Sequence, residues 1–308
     1  GKGELEASLE GIVEECTILA SDDLKVPKVR FGKTNIQMPI VTLGTMRFQQ
    51  SWADVDKIDD IKPSCQSNLV QILQHAVQTL GINHIETARM YGCSELQLAD
   101  AFQNLFDTTT VKREDLIIQT KVNPMPAKEF RKTLEDSFRV LKLEYIDLFS
   151  FHGVNMDHMY DQIFDNGEEE NLIDIIREYQ QKGKIRHVGF STHGRAELIT
   201  RLIETDAFDY VNLHYHAFES YTASGDGKFG GNLQNVRLMK EKDMGVFVIS
   251  PYDKGGRVYA PSKKLRSLTL PDLEPIRYGS LWLWNHENLD AEHAPIHTIV
   301  CGAARPSD

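Results

Sequence analysis

Long apolar runs are missing from this 308-residue chain: no stretch of about 20 consecutive apolar residues occurs, which excludes a membrane-spanning helix. Cysteine is scarce. The four residues (Cys16, Cys65, Cys93, Cys301) are far apart, with neither a Cys-x-x-Cys pair nor zinc-like His/Cys spacing, so free thiols in a reducing compartment are expected. An excess of positive charge is lacking as well. Thirty-four Lys+Arg against 45 Asp+Glu leave −11, which argues against binding nucleic acid through the whole-molecule field, although a local pocket can still read an anion. There is no Asn-x-Ser/Thr acceptor and no cationic leader followed by an apolar stretch. The cytoplasm or an organelle interior such as a chloroplast stroma is therefore expected. Because the chain opens on Gly1, a trimmed N-terminus is part of that expectation.

What is present is an ordinary globular mixture, 41% hydrophobic and 26% charged, long enough for two average domains or one α/β barrel. Residues 1–26 hold Glu4, Glu6, Glu10, Glu14, Glu15, Asp22 and Asp23 against few bases, and read as an acidic extension. Residues 27–308 then alternate. Strand-length apolar runs occur at Val41–Met46, His84–Thr87, Leu116–Val122, Tyr145–His152, His187–Thr192, Asp209–His216, Gly245–Pro251 and His297–Ala303. They look buried on both faces, as parallel strands are. Helical spacing lies between them, in Leu69, Leu73, Ala76, Val77 and Leu80 and again in Leu172, Ile175, Ile176 and Tyr179, with Gly81 and Gly183 at cap positions. Eight strands with intervening helices predict a (β/α)8 TIM barrel. Pro261, Pro271 and Pro275 are expected to break any helix between Pro251 and His297, and the last helix is expected to be missing because the chain stops at Asp308.

A barrel builds its active site at the C-terminal ends of its strands. Reading those ends gives Glu86 and Tyr91, then Lys121, then His152. An ammonium beside a phenol lowers its pKa, a carboxylate holds the ammonium, and a neutral imidazole orients a carbonyl oxygen. Singly, each residue is ordinary; a strand-end Lys–Glu pair is as readily structural as catalytic.

The blocks Gly44-Thr45-Met46, Gly81 through Glu95, Gln119-Thr120-Lys121, Asp147 through His152 and Gly183 through Ser191 resemble, in order and spacing, those of the aldo-keto reductase family. The resemblance runs from about residue 28 to the end and implies the same barrel. It implies NAD(P)H-dependent reduction of an aldehyde or ketone, with Tyr91 as proton donor, Lys121 and Glu86 supporting it and His152 on the carbonyl. Glu86 stands where the family usually has Asp, like a branch that carries the same Glu. The resemblance further implies that Gly44, Thr45, Met46, Ser191, Thr192, Asn212, Ser250, Lys254, Gly302 and Arg305 bind the cofactor, NADP with NAD as the alternative. Thr192 replaces the more common Asn, and Ile249 a stacking aromatic.

Three other features have weaker readings. Gly225 through Gly230 fits G-x-G-x-x-G but begins nine residues after His216, outside a tight strand-turn-helix, and reads as a loop. His214 and His216 form a His-x-His that suits barrel lining or substrate contact, or a metal-dependent hydrolase. Lys263-Lys264-Leu265-Arg266 reads as a solvated face. The loops Val154–Asn171, Ala217–Gly231 and Tyr252–Asn288 are expected to set specificity, with Phe151, Phe218, Tyr221, Phe229 and Trp282 as candidate pocket or packing aromatics. The alternative function is a dinucleotide-binding subunit that acts chiefly as a partner, docking through the acidic segment.

Overall fold

The structure is a computed structural model that describes residues 25–48, 55–217, 232–252, 258, 260–269, 273–284 and 296–307. The acidic residues 1–24, Lys254, Phe218, Tyr221, Phe229 and the Gly225–Gly230 motif lie outside the described residues. Eight parallel strands close a barrel in the order β10-β3-β4-β5-β6-β7-β8-β9. They are β3 (Val41–Gly44), β4 (His84–Glu86), β5 (Ile117–Val122), β6 (Ile146–Phe151), β7 (Ile185–Ser191), β8 (Tyr210–Leu213), β9 (Gly245–Val248) and β10 (Thr298–Gly302). The predicted fold is therefore the observed one, a (β/α)8 TIM barrel.

Because successive side chains on a strand point to opposite faces, each strand contributes one set inward and one outward. Outward residues such as Phe149, Phe151, Val188, Phe190 and Val211 meet the helices in a large apolar layer, where Phe151 stacks on Phe130 at 5.6 Å. Phe151 is thus packing, not pocket lining. The inward set is polar toward the C-terminal end and apolar toward the base, where Phe31, Met38, Ile117, Leu148, Tyr210 and Phe247 cluster.

The base is sealed by an element the sequence reading does not anticipate, a two-stranded antiparallel hairpin of β1 (Lys28–Arg30) and β2 (Gln37–Pro39). It inserts Phe31, fully buried, against Tyr210 (5.8 Å), Phe247 (4.4 Å) and the edge of His297 (5.4 Å). Gly245 leaves the space: a Cβ there would lie 2.4 Å from the Phe31 ring. Arg30 grips Asp243 through two hydrogen bonds of 2.8 and 2.7 Å.

Two expectations about irregular segments are corrected. The segment Val154–Asn171 holds a helix, Asp157–Phe164. Between Pro251 and His297 two helices form, Lys263–Leu268 and Pro275–Trp284, since Pro275 occupies the first helical position, where its missing N–H and fixed φ are harmless. Lys263 and Lys264 are exposed and Arg266 donates to Glu274 at 3.1 Å, so the basic cluster is a solvated helix face. No helix follows β10 among the described residues. No described helix is long and apolar enough to cross a membrane. Replacing the plug, Phe31→Ala, is expected to lower stability by about 3–5 kcal/mol, the usual cost of an emptied aromatic site; urea denaturation beside the parent chain measures it.

Candidate active site

The inward parity of the strands assembles the site. Glu86 follows His84 on β4, Lys121 follows Gln119 on β5, His152 follows Ser150 at the end of β6, and Tyr91 stands in the loop after β4. All four predicted residues meet. Lys121 Nζ forms an ion pair with Glu86 Oε1, donates to the Thr87 carbonyl at 2.7 Å and reaches the Tyr91 hydroxyl at 3.3 Å. The Tyr91 and His152 rings meet edge to face at 5.6 Å. Both charged partners are almost wholly buried, 1% and 4% exposed at the side chain.

Burial sets the electrostatics. It lowers the Lys121 ammonium from its ordinary range, and Glu86 opposes that fall by charge and hydrogen bond. Burial likewise pushes His152 down to about 3, helped by the positive charge of Lys121 and by His193, so the ring is neutral near pH 7. The expected lowering of the Tyr91 pKa is not what this site does at rest. Burial first, and then the negative charge of Glu86, lifts the phenol well above its usual range. Tyr91 therefore holds its proton, as a donor must.

The residues implied to bind a cofactor divide in two. Asn212 lies on the inward face of β8; its Oδ1 accepts from Gln119 Nε2 at 2.8 Å, while its buried Nδ2 has no partner among the described residues. Ser191 Oγ accepts from the Gly153 N–H at 2.9 Å. Gly44 and Gly302 face each other across β3 and β10. Met46, Gly302 and Arg305 are exposed, and Ser250 adopts a left-handed φ of 51° just past β9. Two others brace the scaffold. Thr45 Oγ1 donates to the Glu86 carbonyl at 3.0 Å, and Thr192 Oγ1 donates to the Val154 carbonyl at 2.8 Å while accepting from the Gly194 N–H at 2.8 Å.

The sequence reading misses Thr87, Gln119, Arg47 and His193. Gln119 and His193 were accessible through parity, two residues from Lys121 and Ser191 respectively. Exposed Arg47 runs along β10, so that a Cβ at Gly302 would lie 3.1 Å from its Cγ. His214 and His216 lie side by side within a row of three imidazoles. His214 turns Nε2 to His193 (2.5 Å) and the opposite nitrogen, Nδ1, to His216 (3.2 Å), and no metal-capable cluster exists among the described residues.

The barrel gathers a phenol, an ammonium, a carboxylate and an imidazole at its C-terminal mouth, the end at which TIM barrels build their sites. The model of the aldo/keto reductase family matches residues 40–263, and the chain belongs to that family. Among curated relatives it is 30% identical over 187 residues to an uncharacterized oxidoreductase, YqkF, of Bacillus subtilis, covering 54% of this chain and 55% of that one. It is 25% identical over 145 residues to prostaglandin F synthase 1 of Bos taurus, covering 43% and 44%. The chain thus spans about half the length of the curated relatives it matches. Among solved structures, an aldo-keto reductase from Bacillus halodurans in its holo form superposes with a TM-score of 0.68 at 19% identity, over 92% of this chain and 88% of that one. One from Klebsiella pneumoniae in complex with NADPH gives 0.62 at 17%, over 92% and 87%.

Two tests follow from the burial of these charges. Lys121→Met leaves Glu86 buried without its partner and is expected to cost about 3–5 kcal/mol, whereas adding Glu86→Leu to it is expected to recover most of the loss; denaturation of the two single variants and the double variant completes the cycle. His84 is also held down to about 3 by burial and by Lys121. Between that value and the unfolded 6.5, the unfolded chain binds the extra protons of His84 and His152, so their contribution makes stability fall as the pH drops below 6.5. The slope is at most about 2.7 kcal/mol per pH unit for the pair, and His84→Gln is expected to shrink it in denaturation curves taken from pH 7 to pH 5.

Proposed function

We propose that this chain reduces an aldehyde or ketone to the alcohol with a nicotinamide dinucleotide, NADP in preference to NAD. The observation that carries the reading is the placement of the Tyr91 hydroxyl, 3.3 Å from Lys121 Nζ and beside the edge of a neutral His152. The residues present fit the cofactor. The buried Asn212 Nδ2 offers a donor to a carboxamide, Ser191 stands beside it on the paired strand, and Arg47 and Arg305 flank the exposed Gly302 with positive charge suited to phosphate. When bound there, a reduced nicotinamide would supply the hydride for the carbonyl carbon.

The protein's own groups handle the proton. His152 orients the carbonyl oxygen as a neutral hydrogen-bonding ring. Tyr91, which keeps its proton at rest, donates it as negative charge develops on that oxygen. Lys121 stabilises the phenolate left behind, and Glu86 and the Thr87 carbonyl hold the ammonium in place. The relation to an oxidoreductase of Bacillus subtilis and the fold shared with an NADPH-bound protein support the same chemistry. The alternative of a non-catalytic subunit would dock through the acidic segment, whose residues 1–24 lie outside the described residues. Tyr91→Phe is expected to lower kcat by about 10²–10⁴-fold in a spectrophotometric assay of NADPH oxidation with short aldehydes; turnover at the parental rate would remove Tyr91 from this role.

A further inference from the structure

Four wholly buried polar side chains meet across the barrel interior: Gln119 on β5, Ser150 on β6, and Tyr210 and Asn212 on β8. Strand parity puts them there, since Gln119 stands two residues before Lys121, Ser150 two before His152 and Tyr210 two before Asn212. Their hydrogen bonds run in one order. Ser150 Oγ gives its single proton to the Tyr210 hydroxyl at 3.0 Å. Toward Gln119 it can therefore only accept, and Gln119 turns Nε2 to it, also at 3.0 Å. An amide nitrogen has a second N–H, and Gln119 gives that one to Asn212 Oδ1 at 2.8 Å. Asn212 is left with its oxygen engaged and its Nδ2 without a partner, and Gln119 Oε1 has none either. The backbone beneath Asn212 is fixed. Its carbonyl accepts from the Thr192 N–H at 3.1 Å, and β8 is paired through Asn212 with Ser191 on one side and Phe247 on the other.

We propose that Gln119 is a positioning residue for the cofactor: it locks the Asn212 amide with its N–H end free and so makes a carbonyl oxygen the group that Asn212 recognises. The proposal rests on the reading above in which Asn212 meets the nicotinamide carboxamide. A terminal amide has nearly the same shape either way round, so an unrestrained Asn212 could offer a donor or an acceptor by a half-turn. A ligand that needs the donor would then bind only the fraction turned that way. Gln119 settles the choice before the ligand arrives, and the ordering of the amide is not left to be met from binding energy. Ser150 reinforces it, because the role of its one proton fixes which end of Gln119 faces the row. A buried donor without an acceptor is costly to folding, and an acceptor brought by a ligand recovers that loss. Gln119 is itself held beside the acid–base centre, where its carbonyl accepts from the Thr87 N–H at 2.9 Å and its backbone pairs with Glu86. It acts through Asn212.

Gln119→Met keeps the length of the side chain and removes both hydrogen-bonding ends. In calorimetric titrations this variant is expected to bind NADPH about tenfold more weakly than the parental chain. Adenosine bisphosphate, the fragment of NADP that lacks the nicotinamide end, is expected to bind both chains equally. The analogue with an acetyl group in place of the carboxamide keeps the carbonyl and is expected to lose affinity by the same factor as NADPH. In an Asn212→Ala background, Gln119→Met is expected to change NADPH affinity by less than about twofold, because the residue it acts through is gone. A merely structural role would weaken the adenosine fragment as well and would persist in that background. Either of those results, an unchanged NADPH affinity, or an acetyl analogue indifferent to Gln119 overturns the positioning role and leaves the reductase reading intact. A parental chain that binds no NADPH overturns both. If Gln119→Met does not fold, Gln119→Leu carries the same titrations with the same outcomes.

Discussion

The ion pair between Lys121 and Glu86 is the constraint around which the mouth of this barrel is organised. An ammonium and a carboxylate this deeply buried are costly to desolvate, and each is tolerable only because the other is in contact. The pair decides the state of its neighbours. It places an ammonium next to the Tyr91 hydroxyl, its carboxylate adds to the burial that keeps the phenol protonated, and its ammonium adds to the burial that keeps His84 and His152 neutral. Hydroxyl braces such as Thr45 and the Thr87 carbonyl hold the strand ends that present the two charges. The acid–base character of the site is thus a property of one buried contact and its surroundings, more than of any single residue.

Much of the architecture was legible because the strands of a parallel barrel are buried on both faces and announce themselves as apolar runs. The four residues at the centre were legible for a related reason: each is ordinary by itself, but four titratable side chains fall together at the C-terminal ends of three successive runs. The hairpin at the base left no comparable mark. Its strands are three residues long, β1 is mostly exposed, and its one essential side chain, Phe31, lies in the turn between them. Prolines misled the reading of the 251–297 segment, because Pro275 begins a helix where it was expected to prevent one.

Electrostatic states were the least legible feature. That an ammonium lowers the pKa of a nearby phenol is sound chemistry, but its sign here depends on how close the carboxylate comes and how dry the site is, which spacing along a chain does not encode. The partition of the implied cofactor residues is similar. Asn212 and Ser191 face inward, whereas Thr45 and Thr192 have their hydroxyls committed to backbone carbonyls, a distinction made by local hydrogen bonds and not by motif. His193 and Gln119 show the reverse case, since strand parity alone places them beside residues already singled out.

The ring is closed by β10 against β3, which pairs Ile299 with Val41 and Gly302 with Gly44. The first and last staves of the barrel are therefore neighbours in space and nearly as remote along the chain as two strands of this fold can be. During synthesis on a ribosome, seven strands emerge before the one that completes the circumference, so the partial sheet exposes two open edges until the end. Burial of those two edges therefore waits on β10, a contact of high sequence separation that a chain makes slowly.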